Sequence, residues 1–323
     1  MPKSHALEDT LAELQRLRTQ PTTAASLAIL RKVLGGKTAY AAAKAAEIVG
    51  EAEIRELVPD LIAAFDRFMT NPIKSDPGCR AKAAIADALY GLAHDDASLF
   101  LRGIHHVQME PVYGGREDTG TTLRGVCALG LVRMNYPDVL TELADLLADR
   151  EAPARVAAAR AIAYGENDNG VPLLRLKVLT GDDDPQVISE CLTALLQLAP
   201  VTSLPFVGRL LDAEEVYLVE AAVLALGGSR RREAFDILRP WWERTINVDL
   251  RRTGLLAIAM LKHDAAIEFL LSLVAEAGGP AARDAIGALG VYKHDETLRQ
   301  RVVQVATARD DVDLSAAVSK TFG

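Results

Sequence analysis

One unit recurs along this chain and narrows its folding options more than any other feature: an Ala-rich helix ending in an apolar residue and a glycine. Its fullest copy is 154–165, where Ala154, Ala157, Ala158, Ala159 and Ala161 lead into Ala163-Tyr164-Gly165. Ile48-Val49-Gly50, Leu89-Tyr90-Gly91, Ala128-Leu129-Gly130, Ala225-Leu226-Gly227 and Ala288-Leu289-Gly290 are further copies. Their glycines fall 41, 39, 35, 62 and 63 residues apart. The last two gaps are each close to twice about 31, which predicts copies without glycine at Leu195-Leu196-Gln197 and Ala257-Ile258-Ala259. A period in this range signals stacked repeats, each too small to bury its apolar face alone.

Each unit reads as two helices joined by a turn. Residues 138–147 place Val139, Leu140, Leu143, Leu146 and Leu147 on one helical face. Pro153 then suits a first helical position, where its missing N–H is not needed. The second helix, 154–164, carries alanines in place of larger side chains, so neighbouring backbones can approach closely. Gly165 is expected to stop it in the left-handed cap conformation. The next unit repeats the pattern with a helix over 172–179, Asp184 as N-cap before Pro185, and a helix over 186–198. The other pairs read as 24–34 with 38–49, 54–69 with 80–92, and 97–106 with 123–134. Three more follow at 204–211 with 216–226, 232–244 with 250–261, and 265–275 with 281–291. An amphipathic helix over 6–18 makes 1–23 an N-terminal cap, 24–294 hold the repeats, and 295–323 close the stack as a single solenoid.

Residues 149–161, Asp-Arg-Glu-Ala-Pro-Ala-Arg-Val-Ala-Ala-Ala-Arg-Ala, and 183–187, Asp-Asp-Pro-Gln-Val, resemble HEAT repeats. More narrowly, they are similar to the short HEAT-like repeats first described in phycobilin lyases. The resemblance runs from about Leu27 to the C-terminus. It implies an all-α fold, an α-solenoid or superhelical stack of about eight helix pairs whose second helices line a concave groove. The function it implies is a non-catalytic interaction scaffold that takes a protein or peptide partner in that groove. A phycobilin lyase-like chromophore handler is the alternative that the narrower resemblance implies.

Composition agrees with an all-helical chain. Half of the 323 residues are apolar and only 5% are aromatic, and abundant Ala and Leu favour helix over sheet. A net charge of −8 argues against wholesale nucleic-acid binding. Cys79, Cys127 and Cys191 lack metal-ligand spacing; Cys127 and Cys191, in second helices, read as buried thiols in a reducing compartment. Glu8, Asp9 and Glu13 interrupt any secretory h-region, and no apolar run reaches membrane length. A cytoplasmic monomer with no cofactor, no metal and no membrane contact is the resulting expectation.

Three constellations could carry chemistry. The first is the connection 107–120, whose length inside a repeat marks a functional or disordered segment. His105 and His106 precede it, and Glu110, Glu117 and Asp118 lie within it. Three or four such groups converging could hold Zn²⁺, although no established metal spacing is present. His106 and Glu110 would share a helical face only if the helix ran on into Pro111. The same loop reads as a partner-contacting surface through Tyr113, Arg116 and Asp118, or as an ordered insertion whose groups pair internally.

The second is 229–252, where Arg230, Arg231, Arg232, Arg239, Arg244, Arg251 and Arg252 surround Trp241 and Trp242, the only tryptophans. Arginine with aromatics can grip phosphates and stack bases. The segment is loosely similar to the basic, Trp-containing face of HEAT-like DNA glycosylases, without a residue-by-residue match, so a nucleic-acid enzyme of that kind is a further alternative. Packing of Trp242 between repeats, with the arginines paired to nearby acids, is the structural reading. The third is the row of second-helix polar residues Lys82, Arg124, Arg155, Arg160, Glu190, Glu220, Arg251 and Arg283. Mixed signs there suit a protein partner better than a polyanion, while Arg155 could instead bond to turns of the neighbouring unit. Gly35-Gly36-Lys37-Thr38 lacks the glycine that a phosphate-binding loop requires at position 31, where Arg31 stands. No nucleophile elbow occurs.

Overall fold

The computed structural model describes residues 2–323, with side chains from residue 7 onward. Contacts divide the chain into two compact units, Met1–Glu166 and Asn167–Gly323. The first contains α1 (Pro2–Leu17), α2 (Ala24–Leu34), α3 (Ala39–Glu51), α4 (Val58–Met69), the single turn α5 (Pro72–Ser75) and α6 (Arg80–Gly91). It continues with α7 (Ala97–Ile104), a β-hairpin of β1 (Met109–Val112) and β2 (Gly115–Asp118), then α8 (Thr121–Arg133), α9 (Val139–Leu147) and α10 (Ala152–Tyr164). Helices α3, α6, α8 and α10 form an inner row in which each packs on the next, with α2, α4, α7 and α9 outside. Helix α1 packs on α3 and buries Leu14.

The second unit repeats this plan. Its outer helices are α11 (Val171–Thr180), α13 (Pro200–Arg209), α15 (Arg232–Arg244), α17 (Asp264–Glu276) and α19 (Glu296–Thr307). Its inner row is α12 (Pro185–Leu198), α14 (Val216–Gly228), α16 (Val248–Met260), α18 (Gly279–Leu289) and α20 (Val312–Phe322). The expected copies without glycine are therefore real: Leu195 lies in α12, and Ala257, Ile258 and Ala259 lie buried in α16. Helix pairs throughout make the chain an all-α solenoid, with the hairpin as the one stretch of sheet among the described residues.

The division of labour follows side-chain size. Outer helices contribute large residues such as Leu61, Phe65 and Phe68 in α4, whereas inner helices bury runs of alanine such as Ala41, Ala42, Ala45 and Ala46 in α3. An inner helix touches its partner and both neighbours, so small residues let three backbones close around it. Asp184 caps α12 as expected, accepting a 2.8 Å bond from the Gln186 N–H. Pro200 begins α13 at a position that needs no donor.

The recurring glycines have a different role from the one expected. Gly165 has φ −70°, an ordinary right-handed value, and the left-handed residue after that helix is Glu166. Close approach explains most of them instead. A Cβ on Gly227 would lie 2.5 Å from the Ala257 carbonyl oxygen and 2.6 Å from its Cα, so α14 and α16 meet backbone to backbone. Gly50 meets Ala88 in the same manner, and Gly130 is covered by the Phe100 ring. Gly227→Ala should therefore lower stability by about 1–3 kcal/mol in urea unfolding. Gly91→Ala, at a site with open space, should stay within about 0.5 kcal/mol of wild type. Equal effects at both positions would contradict the packing explanation.

No helix is long and apolar enough to cross a membrane among the described residues. All three thiols are free and buried; burial pushes the Cys79 and Cys191 thiols up to about 12.

Candidate functional site: a braced hairpin on the first unit

Between α7 and α8 the chain leaves the helical pattern. Gly103, in the last turn of α7, packs against Cys127, where a Cβ would collide with the sulfur, and beyond Ile104 the backbone runs into β1. The strands pair antiparallel in the register Met109 with Asp118, Glu110 with Glu117, Pro111 with Arg116 and Val112 with Gly115. A two-residue turn joins them, with Gly114 at φ +87°, a conformation open to glycine at its second position. Pro111 can be accommodated because a hairpin has free edges that need no donor. The stretch 107–120 is therefore an ordered insertion, one of the readings the sequence offered, and its strand pairing is what the sequence did not show.

Two of its carboxylates, Asp118 and Glu110, turn into the protein and hold it, while Arg116 and Glu117 are exposed. Asp118, 7% exposed, accepts bonds from the N–H groups of Gln108 and Gly120, each at 2.9 Å, and from Arg124 Nη1 at 2.8 Å. Burial works against this carboxylate, but those N–H bonds and the Arg124 charge outweigh it and hold the carboxyl below its ordinary range. Arg124, 1% exposed on α8, also donates to the His106 carbonyl at 2.9 Å and to Asp149 Oδ1 at 3.2 Å. Its Nε stands 3.0 Å from Asp149 Oδ2, a charge contact off the hydrogen-bonding direction. One guanidinium thus ties the hairpin, the end of α7 and the α9–α10 turn together.

A second strand of the network runs through Gln108. Its amide donates to the Asp76 carbonyl at 2.8 Å and to Glu110 Oε1 at 2.6 Å, while its oxygen lies 3.0 Å from His106 Nε2. Glu110 Oε1 also accepts from the Gly78 N–H and the Thr119 hydroxyl. Below it, Lys82 and Asp76 form a fully buried pair at 3.0 Å, and Asp76 caps α6 through the Ala81 and Lys82 N–H groups. Buried polar groups in such a network specify one arrangement because every alternative strands a charge.

The sequence-derived candidates now divide. His106 meets Gln108, and burial lowers its basicity. His105 Nε2 lies 2.9 Å from Glu142 Oε2 on α9. Among the described residues no group of three or more His, Cys, Asp or Glu is placed to hold a metal ion, so the imidazoles and carboxylates of this segment do not converge. Arg116 donates across the hairpin to the Met109 carbonyl at 3.0 Å. Tyr113 alone is directed wholly outward, fully exposed at the tip beside exposed Val112.

Elsewhere in the first unit, Arg155 is buried and donates to the Asp149 and Arg150 carbonyls, both in the turn of its own helix pair. Arg160 is exposed on α10 and edges a groove of about 280 Å³ with Thr122, Val126, Leu129 and Ala157. In the second unit the arginine and tryptophan segment is mostly inward or paired. Trp241 and Trp242 are buried, and their indole N–H groups donate to the Leu211 and Arg251 carbonyls, each at 3.1 Å. The Arg251 guanidinium lies 4.0 Å over the Trp242 ring and donates to the Trp242 and Thr245 carbonyls. Arg252 pairs with Asp284 at 3.0 Å, Arg244 with Asp212 at 2.7 Å, and Arg239 with Glu243 at 3.0 Å. Neither indole offers a face for stacking a base, and these arginines serve packing and ion pairs.

Sequence reasoning missed Gln108 and Asp76, the hubs of the network. Neither stands in a motif; only the folding of two connections onto each other brings them together.

No family model matches the chain, and no curated protein matches it. Among solved structures, the CpcE–CpcF complex of phycocyanin lyase from Nostoc sp. PCC7120 is similar at 17% identity, covering 91% of this chain and 92% of that one, with TM-score 0.36. An engineered protein is similar at 14% identity over 95% and 91%, with TM-score 0.41. Human deoxyhypusine hydroxylase, in complex with glycerol, is similar at 15% identity over 85% and 96%, with TM-score 0.30. The lyase and the hydroxylase are both helical repeat folds.

Proposed function

We propose that this chain is an interaction scaffold that binds a protein or peptide partner, with the hairpin of the first unit as a principal contact. The observation that carries this reading is Tyr113: an entirely exposed aromatic at the tip of a hairpin whose base is locked by buried charge. An aromatic held on a braced element loses little freedom on contact, which is why such residues dominate binding energy at interfaces. Nothing inside the protein requires a tyrosine at that point.

Affinity capture from the native cell, with wild type and Tyr113→Ala in parallel, tests the reading. The variant should unfold at the wild-type midpoint, since the side chain buries nothing, and should lose at least about tenfold of one specific partner. Identical capture profiles for the two proteins would remove the hairpin from the binding surface.

A further inference from the structure

The Gly35-Gly36-Lys37-Thr38 stretch fails as a phosphate loop, yet its lysine lines a cleft with other cations. Lys37, Ala39 and Tyr40 from the start of α3 face Lys74, Gly78 and Arg80 from the α5–α6 connection across a space of about 530 Å³. The side chains of Lys37, Lys74 and Arg80 have no ion-pair or hydrogen-bond partner among the described residues. That sets them apart from Arg18, Arg31, Arg102 and Arg124 of the same unit, each paired with one or more carboxylates. The nearby acids are taken: Asp76 is buried with Lys82, and Glu110 accepts three bonds within the hairpin network.

Two further features suit an anion. Thr38 makes no side-chain cap, so the first N–H groups of the 13-residue α3 open toward the cleft edge at Ala39. Tyr40, 42% exposed, lines the cleft, with the Lys44 ammonium 5.8 Å from its ring centroid. Three unpaired cations gathered in one cleft of a chain with net charge −8 are a local reversal of the protein's field. A polyanion does not fit: farther along α3, Lys44 and Arg18 are paired with Glu47, so the cleft is not continued by a row of free cations. A compact dianion is what the cleft can surround.

From these observations we infer that this cleft binds a small organic phosphate, a phosphomonoester carried by an aromatic group. Lys37, Lys74 and Arg80 neutralise the phosphate and the Tyr40 ring packs on the attached aromatic. The site is independent of the Tyr113 surface, so either can fail without the other.

Calorimetric titration at low salt with AMP and phenyl phosphate as probes, and adenosine and inorganic phosphate as controls, tests the assignment. Both probes should bind, adenosine should not, and inorganic phosphate should bind more weakly than either probe. Lys37→Gln and Arg80→Gln should each weaken AMP binding about tenfold, while Lys320→Gln on α20 should leave it unchanged. Far-ultraviolet circular dichroism checks that the variants remain folded, which these exposed positions permit. Absence of binding by both probes, equal binding of adenosine and AMP, or equal weakening by Lys320→Gln would overturn the assignment.

Discussion

Arg124→Ala should remove about 3–5 kcal/mol of stability from the first unit, the range for breaking a buried ion pair. The size follows from what the substitution leaves behind. Asp118 is buried with the guanidinium 2.8 Å away, and the His106 carbonyl and Asp149 lose donors at the same time. Each stranded group must then be solvated or neutralised within a packed interior. Asp118→Asn in the same chain should recover part of the loss by removing the uncompensated charge, and a double-mutant cycle in urea measures that coupling. Non-interacting single substitutions would show that the pair does not hold the hairpin.

The same carboxylate sets a pH dependence. Its folded pKa lies below the ordinary value, so its contribution is complete above about pH 4 and is lost as pH falls through the folded value. Wild type should therefore lose stability on acidification more steeply than Asp118→Asn, when both are followed by thermal unfolding from neutral pH downward.

Trp242→Ala should cost about 3–5 kcal/mol in the second unit, through lost packing and the cavity left behind. Trp242 packs edge-on against Phe269 with centroids 5.5 Å apart and carries the Arg251 guanidinium on its face. Its backbone and that of Arg251 exchange bonds with each other's side chains, so α15 and α16 are clamped reciprocally. Trp242→Phe keeps the ring contact, loses the indole donor and should cost clearly less. Both tryptophans lie in this unit, so intrinsic fluorescence reports its unfolding directly. A small effect for Trp242→Ala would return the Arg and Trp segment to consideration as a binding surface.

The helices were legible because their signals are local. Pro185 after Asp184, Pro153 at the start of α10 and the Leu spacing of α9 act within one or two turns, and their elements stand within a few residues of expectation. The glycines were legible as a period but not as a cause. A capping glycine and a close-contact glycine look alike in sequence, and only the neighbour, Ala257 opposite Gly227, separates them. The hairpin was hidden because Gly-Arg-Glu-Asp is a poor strand by propensity; tertiary bonds to Asp118 and Glu110 hold it. Among the candidate site residues, type and spacing placed Arg124, Arg155 and Arg251 on inner helices correctly. Sequence could not reveal that Arg124 and Arg251 turn back onto the carbonyls or carboxylates of a connection, nor that Arg155 reaches the turn of its own helix pair. Lys74 and Arg80 escaped notice for a related reason, since a Pro-rich connector gives no hint of which lysine it will face.

Hydrogen exchange across 105–124 tests most directly whether a buried network holds the hairpin that presents Tyr113. Backbone amides of Gln108, Thr119 and Gly120, bonded to Asp118 and to the Gln108 carbonyl, should exchange as slowly as those of α6 and α8. In Arg124→Ala they should exchange faster while α3 stays protected. Exchange of the wild-type hairpin at the rate of an unstructured chain would contradict the account.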